Sequence, residues 1–392
     1  MKSLHGKDRS RRIKSVWPTS EQELLLKAAL FKNGAAQQAW RDLRPLMERL
    51  LKDRAVEQLI PLLYRNLVSQ GVRDSFLENL KQHSMLTWTA NQSIFRCLRR
   101  TLPLLHKANI ETLLLKGAAL IPLYYQDYGA RVMGDFDVLV SESQFDNACE
   151  VLEDERWERL SHVNSFDMRF KSGLHFRDKD GITLDLHCHV MNLVWHKDAD
   201  RDFWDGATTV RIGDVTSGTL SHTDHLVHAC IHGLTWMPYQ RLRMVADVWT
   251  ILFHVSRNID WDRVVRISGN LGTTIQVADT LEYMSKSFGA KIPVAALRSL
   301  KATQPTQKER TLSEIPMQHN SGRPIRILKT HWAIYSEGIA VPELIPRILS
   351  IPQYLKFWFQ TGSIWKISFS LVGKSLRTIG YRIGWHHYDH SK

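Results

Sequence analysis

The chain has 392 residues, 43% of them hydrophobic and 23% charged, which suits two to three globular domains with a sizeable core and excludes a disordered or collagen-like polypeptide. A formal charge of +12 favours anionic partners, such as nucleotide phosphates, nucleic acid or an acidic membrane face, without choosing among them. Cys97, Cys149, Cys188 and Cys230 are widely spaced, so reduced cysteines are expected rather than a disulfide framework.

Residues 1–19 are basic and polar, lack the apolar stretch of a secretory signal, and read as a disordered arm. No apolar run approaches the roughly 18 to 20 residues of a membrane span. Residues 20–105 read as a helical region: Ser20 is the expected N-cap, and Val56, Leu59, Ile60, Leu62, Leu63 and Leu67 recur at helical spacing.

Residues 106–220 form the expected core. Glu111 to Leu115 reads as a buried strand ending at Lys116-Gly117, followed by a helix over Ala118 to Tyr125. Asp135 to Val140 is a second strand, and Ser141 with Gln144 predicts a capping box for a helix to about Glu155. Leu174 to Arg177 and Ile182 to Leu186 are further strands around the turn Asp178-Lys179-Asp180-Gly181. Residues 221–300 return to helix, with Ser221 or Thr223 as cap. The polar stretch 301–325 reads as a linker, and residues 326–392 form a basic aromatic tail.

The chemistry concentrates in the core. Residues two apart on a strand share a face, so Asp135 and Asp137 project together with Cα atoms roughly 6.5 to 7 Å apart while Phe136 turns inward. Two such carboxylates repel, and a shared divalent cation relieves them. Magnesium prefers oxygen ligands and commonly joins carboxylates to substrate phosphates. Asp185, inside the apolar run 182–186, needs a partner if buried, and a metal beside Asp135 and Asp137 would provide one. Lys116 and Gly117 place a charge and a close-approach glycine at a strand-to-helix turn, and Arg131 could add bidentate contacts to phosphate.

Lys116-Gly117, Tyr124-Tyr125, Gly129, Arg131, Asp135 to Val140 and Leu184-Asp185-Leu186-His187 together resemble the bacterial family of uncharacterised nucleotidyltransferases, of the polymerase-β-like superfamily. The resemblance covers roughly residues 20–290. It implies an α+β fold, with a polymerase-β-like core of a small mixed sheet and flanking helices embedded in a largely helical protein. It also implies two Mg2+ ions on Asp135, Asp137 and Asp185, and a nucleoside triphosphate held by Lys116, Gly117, Arg131 and His187. Lys116-Gly117 departs from the superfamily's Gly-Ser or Gly-Gly turn. The implied reaction is nucleotidyl transfer to a hydroxyl or amine acceptor, with a glycan, lipid-linked or peptide acceptor in polysaccharide or peptide natural-product biosynthesis.

Other readings stand beside this one. A catalytically inactive nucleotide-binding or scaffold protein would keep the fold without turnover. A metal-dependent hydrolase on Asp185, His187 and His189 is weaker, because no cysteine or third histidine sits at familiar zinc spacing beside them. His225, His228 and His232 share a helix but lack a metalloprotease glutamate, since Ala229 stands in its place, so packing or acceptor contacts are expected of them. No role is assigned to Asp247. The tail suits packing first and peripheral membrane contact second, with nucleic acid least favoured for want of a binding motif. The expected location is cytoplasmic, with association at the inner membrane face as a variant of it.

Overall fold

The computed structural model describes residues 17–160, 172–191, 198–235, 241–307, 309, 310 and 313. Most of the basic arm, and the tail from residue 314 onward, lie outside the described residues.

The N-terminal helices are α1 (Ser20–Leu30), α2 (Asn33–Leu43), α3 (Met47–Leu50), α4 (Arg54–Glu57), α5 (Ile60–Ser69) and the long α6 (Leu77–Lys107). Thr19 rather than Ser20 caps α1: its Oγ1 accepts from Gln22 N at 3.3 Å, and Gln22 Oε1 accepts from Thr19 N at 3.0 Å. The core follows as β1 (Leu113–Leu115), α7 (Lys116–Leu120), β2 (Phe136–Leu139), α8 (Phe145–Asp154), β3 (Glu158–Arg159), β4 (Gly173–Arg177), β5 (Thr183–His187), α9 (Arg201–Asp205), β6 (Thr208–Ile212) and β7 (Val215–Thr219). The chain then returns to helix in α10 (His222–Thr235), α11 (Arg241–Val255), α12 (Trp261–Asn270), α13 (Thr274–Phe288) and α14 (Val294–Ala302).

The architecture is mixed α/β. Among the described residues seven strands run in the order β3-β4-β5-β2-β1-β7-β6, with parallel pairings β2–β5 and β1–β7 and antiparallel pairings elsewhere. One face of the sheet, carrying Phe136, Val138, Leu184 and Leu186, packs on Leu98, Leu102 and Leu105 of α6 and on Ala148 and Leu152 of α8. From the other face, Leu115 and Leu139 join the second core, built from the N-terminal helices and α10 to α13. Strand alternation produces this division, since neighbouring side chains leave a strand on opposite sides.

Several sequence expectations shift at the edges of elements. The first strand is shorter than expected, and the helix begins at Lys116 itself, continuing into a wider turn over Ile121–Tyr125. The capping box at Ser141 does not form: residues 142–144 are a 3-10 turn, and Ser141 Oγ donates instead to Gln144 Oε1 at 3.3 Å. The Asp178–Gly181 turn is present, with Asp178 Oδ1 accepting from the amides of Asp180 and Ile182 at 2.9 and 2.8 Å. Ser221 Oγ accepts from Asp224 N at 3.2 Å at the start of α10. Near the expected linker, α14 still includes Lys301, and Glu309 folds back to accept from Thr274 Oγ1 and Ile275 N at 2.6 and 2.7 Å. All four cysteines are buried and none forms a disulfide. Among the described residues no helix is long and apolar enough to cross a membrane.

Candidate active site

Parallel pairing of β2 with β5 sets Asp137 directly opposite Asp185, and antiparallel pairing of β1 with β2 sets Leu115 opposite Asp137. Residues in register share a sheet face, so both carboxylates emerge on the side of the helical bundle, and His187, two residues beyond Asp185, emerges there too. His187 Nε2 lies 3.0 Å from Asp137 Oδ1 and 3.0 Å from Asp185 Oδ2, bridging the acids. Lys116 ends the row: its Nζ is 2.5 Å from Asp137 Oδ1. To turn from β1 into α7 at a single residue, Lys116 adopts φ +46, a left-handed conformation that costs a side chain energy and that clusters at functional sites.

Charge is balanced locally, Lys116 and His187 standing against Asp137 and Asp185. Burial disfavours the ionised forms of Asp137 and Asp185, yet Lys116 and His187 overcome it and hold both carboxyls below the usual carboxylate range. Burial also works against a charged His187, but the two acids hold its pKa up to about 9. Its other ring nitrogen, Nδ1, is buried and has no hydrogen-bond partner among the described residues. The carboxylate oxygens of Asp137 and Asp185 and a His187 nitrogen lie within 4.8 Å of one another, a donor set able to hold a cation.

Asp135 stands apart from this trio. The strand begins at Phe136, so Asp135 occupies a bend just before it and falls outside the 4.8 Å group. It still feels the site: burial, then repulsion from Asp137, pushes it up to about 6.

Gly117 is needed for close approach. A Cβ there would meet Arg131 Nη1 at 2.6 Å and Met133 Cγ at 2.7 Å. Arg131 is brought to the site, but its guanidinium is already engaged, donating to Asp247 from Nε at 2.8 Å and from Nη2 at 2.9 Å. Tyr125 donates to the same carboxylate at 2.7 Å. Asp247, to which sequence reading assigns no role, thus ties the loop before Asp135 to α11. Asn91 holds that loop from α6, its Nδ2 donating to the carbonyls of Tyr128 and Arg131 at 2.7 Å each.

Beyond Lys116 lies a small cavity of 30 Å³ lined by Arg131, His228, His232, Arg243 and Asp247. Burial keeps His228 and His232 neutral, depressing His228 to about 3. Arg243 carries the charge that sequence reading overlooked; a hint of it lay in the arginine one helical turn before Asp247. Burial and Arg131 lower its pKa, and among the described residues no hydrogen bond or ion pair satisfies it. His189 turns away from the acids, its Nδ1 lying 2.7 Å from Asp200 Oδ2. His225 Nε2 pairs with Thr219 Oγ1 at 3.0 Å.

The mixed sheet thus presents two in-register carboxylates and a bridging histidine, a donor set that could hold a cation, beside the cationic Lys116, Arg131 and Arg243. The sequence matches the family described as uncharacterised nucleotidyltransferase over residues 46–289, more than half of the chain, and the protein belongs to that family. Among solved structures, an antigenic nucleotidyltransferase-like protein from Paracoccidioides brasiliensis is similar at 15% identity with a TM-score of 0.34, over 55% of this chain and 96% of that one. No curated protein matches the sequence.

Proposed function

We propose that the protein transfers a nucleotidyl group from a nucleoside triphosphate to a hydroxyl or amine acceptor, on a polymerase-β-like core and with Mg2+. The observation that carries the reading is the pairing of Asp137 with Asp185 across β2 and β5, with His187 between them. The donor set fits a divalent cation: carboxylate oxygens suit magnesium, and His187 orients both acids from the side. Asp137 and Asp185 would hold the ion, with Asp135 adding its charge from the bend. A cation bound there supplies neutralisation of phosphate charge and activation of the attacking hydroxyl.

The chain's own residues do the rest by positioning. Arg243 is the guanidinium left for phosphate, because Arg131 is committed to Asp247. Lys116 sits between the acids and the basic cavity and can shift its charge from carboxylate to phosphate. Gly117 lets Arg131 and Met133 close over the turn. Such fixed charges lower a barrier without a covalent enzyme intermediate.

One observation favours the non-catalytic alternative. The Lys116 ammonium already neutralises Asp137, as a substitute for metal would. Binding of a fluorescent ATP analogue, with and without Mg2+, followed by pyrophosphate release, separates the readings. Metal-dependent binding lost in Asp137→Asn and Asp185→Asn, with pyrophosphate release when an acceptor is added, is the expected result. Nucleotide affinity indifferent to both magnesium and these substitutions would sink the enzyme reading.

A further inference from the structure

His175 stands on β4 directly opposite Asp185, as Asp185 stands on β5 opposite Asp137 and Asp137 on β2 opposite Leu115. Residues paired in this way share a face of the sheet, so His175 extends the row of the two acids by one strand. Its Nδ1 lies 3.5 Å from Asp185 Oδ1, while His187 Nε2 meets the other oxygen, Oδ2, at 3.0 Å. Each oxygen of Asp185 therefore has an imidazole beside it.

The two rings differ in what they are free to do. His187 is buried, and its Nε2 is shared between Asp137 and Asp185 at 3.0 Å each. The side chain of His175 is 54% exposed, and among the described residues it makes no hydrogen bond. A separation of 3.5 Å is longer than the about 2.7 to 3.2 Å of a hydrogen bond. It is close to the spacing of two ligands on one ion: about 2.1 Å from the metal and at right angles, they stand about 3 Å apart. His175 lies outside the group formed by Asp137, Asp185 and His187, but its ring, held by no hydrogen bond, can turn toward them.

A nitrogen at this position bears on which cation is taken. Magnesium is bound through oxygen and draws on carboxylate charge, which Lys116 already offsets at 2.5 Å from Asp137 Oδ1. Imidazole is a ligand of first-row transition metals and adds affinity for them without further negative charge. Two carboxylates with one imidazole remain rich in oxygen, which keeps the choice at the manganese end of that series.

We propose that His175 is a nitrogen ligand of the cation held by Asp137 and Asp185, and that it makes the centre select Mn2+ over Mg2+. The proposal rests on the reading of those two acids as a metal site and names the cation they favour. Mg2+ engages the carboxylates alone, whereas Mn2+ gains the imidazole as well.

The test measures metal affinity in the full chain after treatment with EDTA, following Mn2+ by the paramagnetic resonance of the free ion and Mg2+ by competition against it. His175→Ala changes a half-exposed side chain, and His175→Gln keeps its bulk, so both variants are expected to fold, with circular dichroism as the check. The wild type should bind Mn2+ at least roughly tenfold more tightly than Mg2+. In both variants Mn2+ affinity should fall roughly tenfold or more while Mg2+ affinity stays within about twofold, and the electron spin-echo modulation from nitrogen bound to Mn2+ should weaken. Asp185→Asn should weaken both ions. Mn2+ affinity untouched in the His175 variants, or equal losses for the two ions, overturns the proposal and leaves the metal reading standing. Failure of the wild type to bind either ion overturns that reading and the proposal with it, so the two failures are distinguishable.

Discussion

Arg131 and Asp247 lie 116 residues apart in sequence and meet in a buried two-point ion pair, with nitrogen–oxygen distances of 2.8 and 2.9 Å. The pair fastens the loop before the acids to the helical bundle. Removing one partner leaves the other charge buried and uncompensated, so Asp247→Ala should cost about 3 to 5 kcal/mol in urea unfolding. The double variant Arg131→Met with Asp247→Leu should recover most of that loss. Additive losses in the double variant would contradict this account.

Gly117 faces the same locked arginine. Met133 can swing aside for an added methyl, but Arg131 cannot without giving up Asp247. Gly117→Ala is therefore expected to destabilise by about 1 to 3 kcal/mol, the usual range for overpacking. Combining it with Met133→Ala should restore only part of the loss, because the guanidinium clash remains. Full recovery in thermal melts would locate the conflict at Met133 alone.

Lys116 neutralises Asp137 at 2.5 Å, so it competes with any cation for that carboxylate. In Lys116→Met the metal-free protein should melt earlier than wild type, since the buried acids lose a counter-charge. Added magnesium should raise its melting temperature by more than it raises that of the wild type. Tenfold tighter metal binding would add about 1.4 kcal/mol at saturation. Equal magnesium shifts in the two proteins would show that Lys116 does not guard the site.

His225 gives the protein an acid sensitivity independent of that centre. Burial, reinforced by His228 and His222, lowers its folded-state pKa from 6.5 to about 3, while Thr219 and the Tyr124 ring face it. Between those pH values the unfolded chain takes up a proton that the folded chain refuses. Its contribution is thus fully present above pH 6.5 and is lost as pH falls below it, reaching about 2 kcal/mol by pH 5. Unfolding free energies at pH 8 and pH 5 should show this slope, reduced in His225→Asn. An unchanged slope in that variant would assign the titration elsewhere.

The parts of the site legible in the sequence were those written at short range. Alternation placed Asp137 and Phe136 on opposite faces, and it placed Asp185 and His187 on one face, where the structure has them bridged. The strand boundary was harder: Asp135 was expected on β2, yet Gly134 and Asp135 form a bend, and its carboxylate stays outside the trio. The β6–β7 hairpin leaves only a short trace, Val210 and Ile212 alternating with polar residues ahead of Gly213, which takes φ +64. No local pattern marks Arg131 and Asp247 as partners. A surface arginine and a buried, paired one look alike in one dimension, and only packing of α11 against the loop tells them apart.

Helix α1 has a practical consequence for anyone dissecting this protein. The family match starts at residue 46 and stops at 289, but Leu25, Leu26 and Ala28 of α1 are completely buried in the core shared with α11, and Glu309 caps the N-terminal turn of α13. A fragment trimmed to the recognised span would uncover that apolar seam and strip α13 of its cap. The unit of descent is smaller than the unit of folding, and truncations should be drawn outside residues 19 and 310 rather than at the edges of the match.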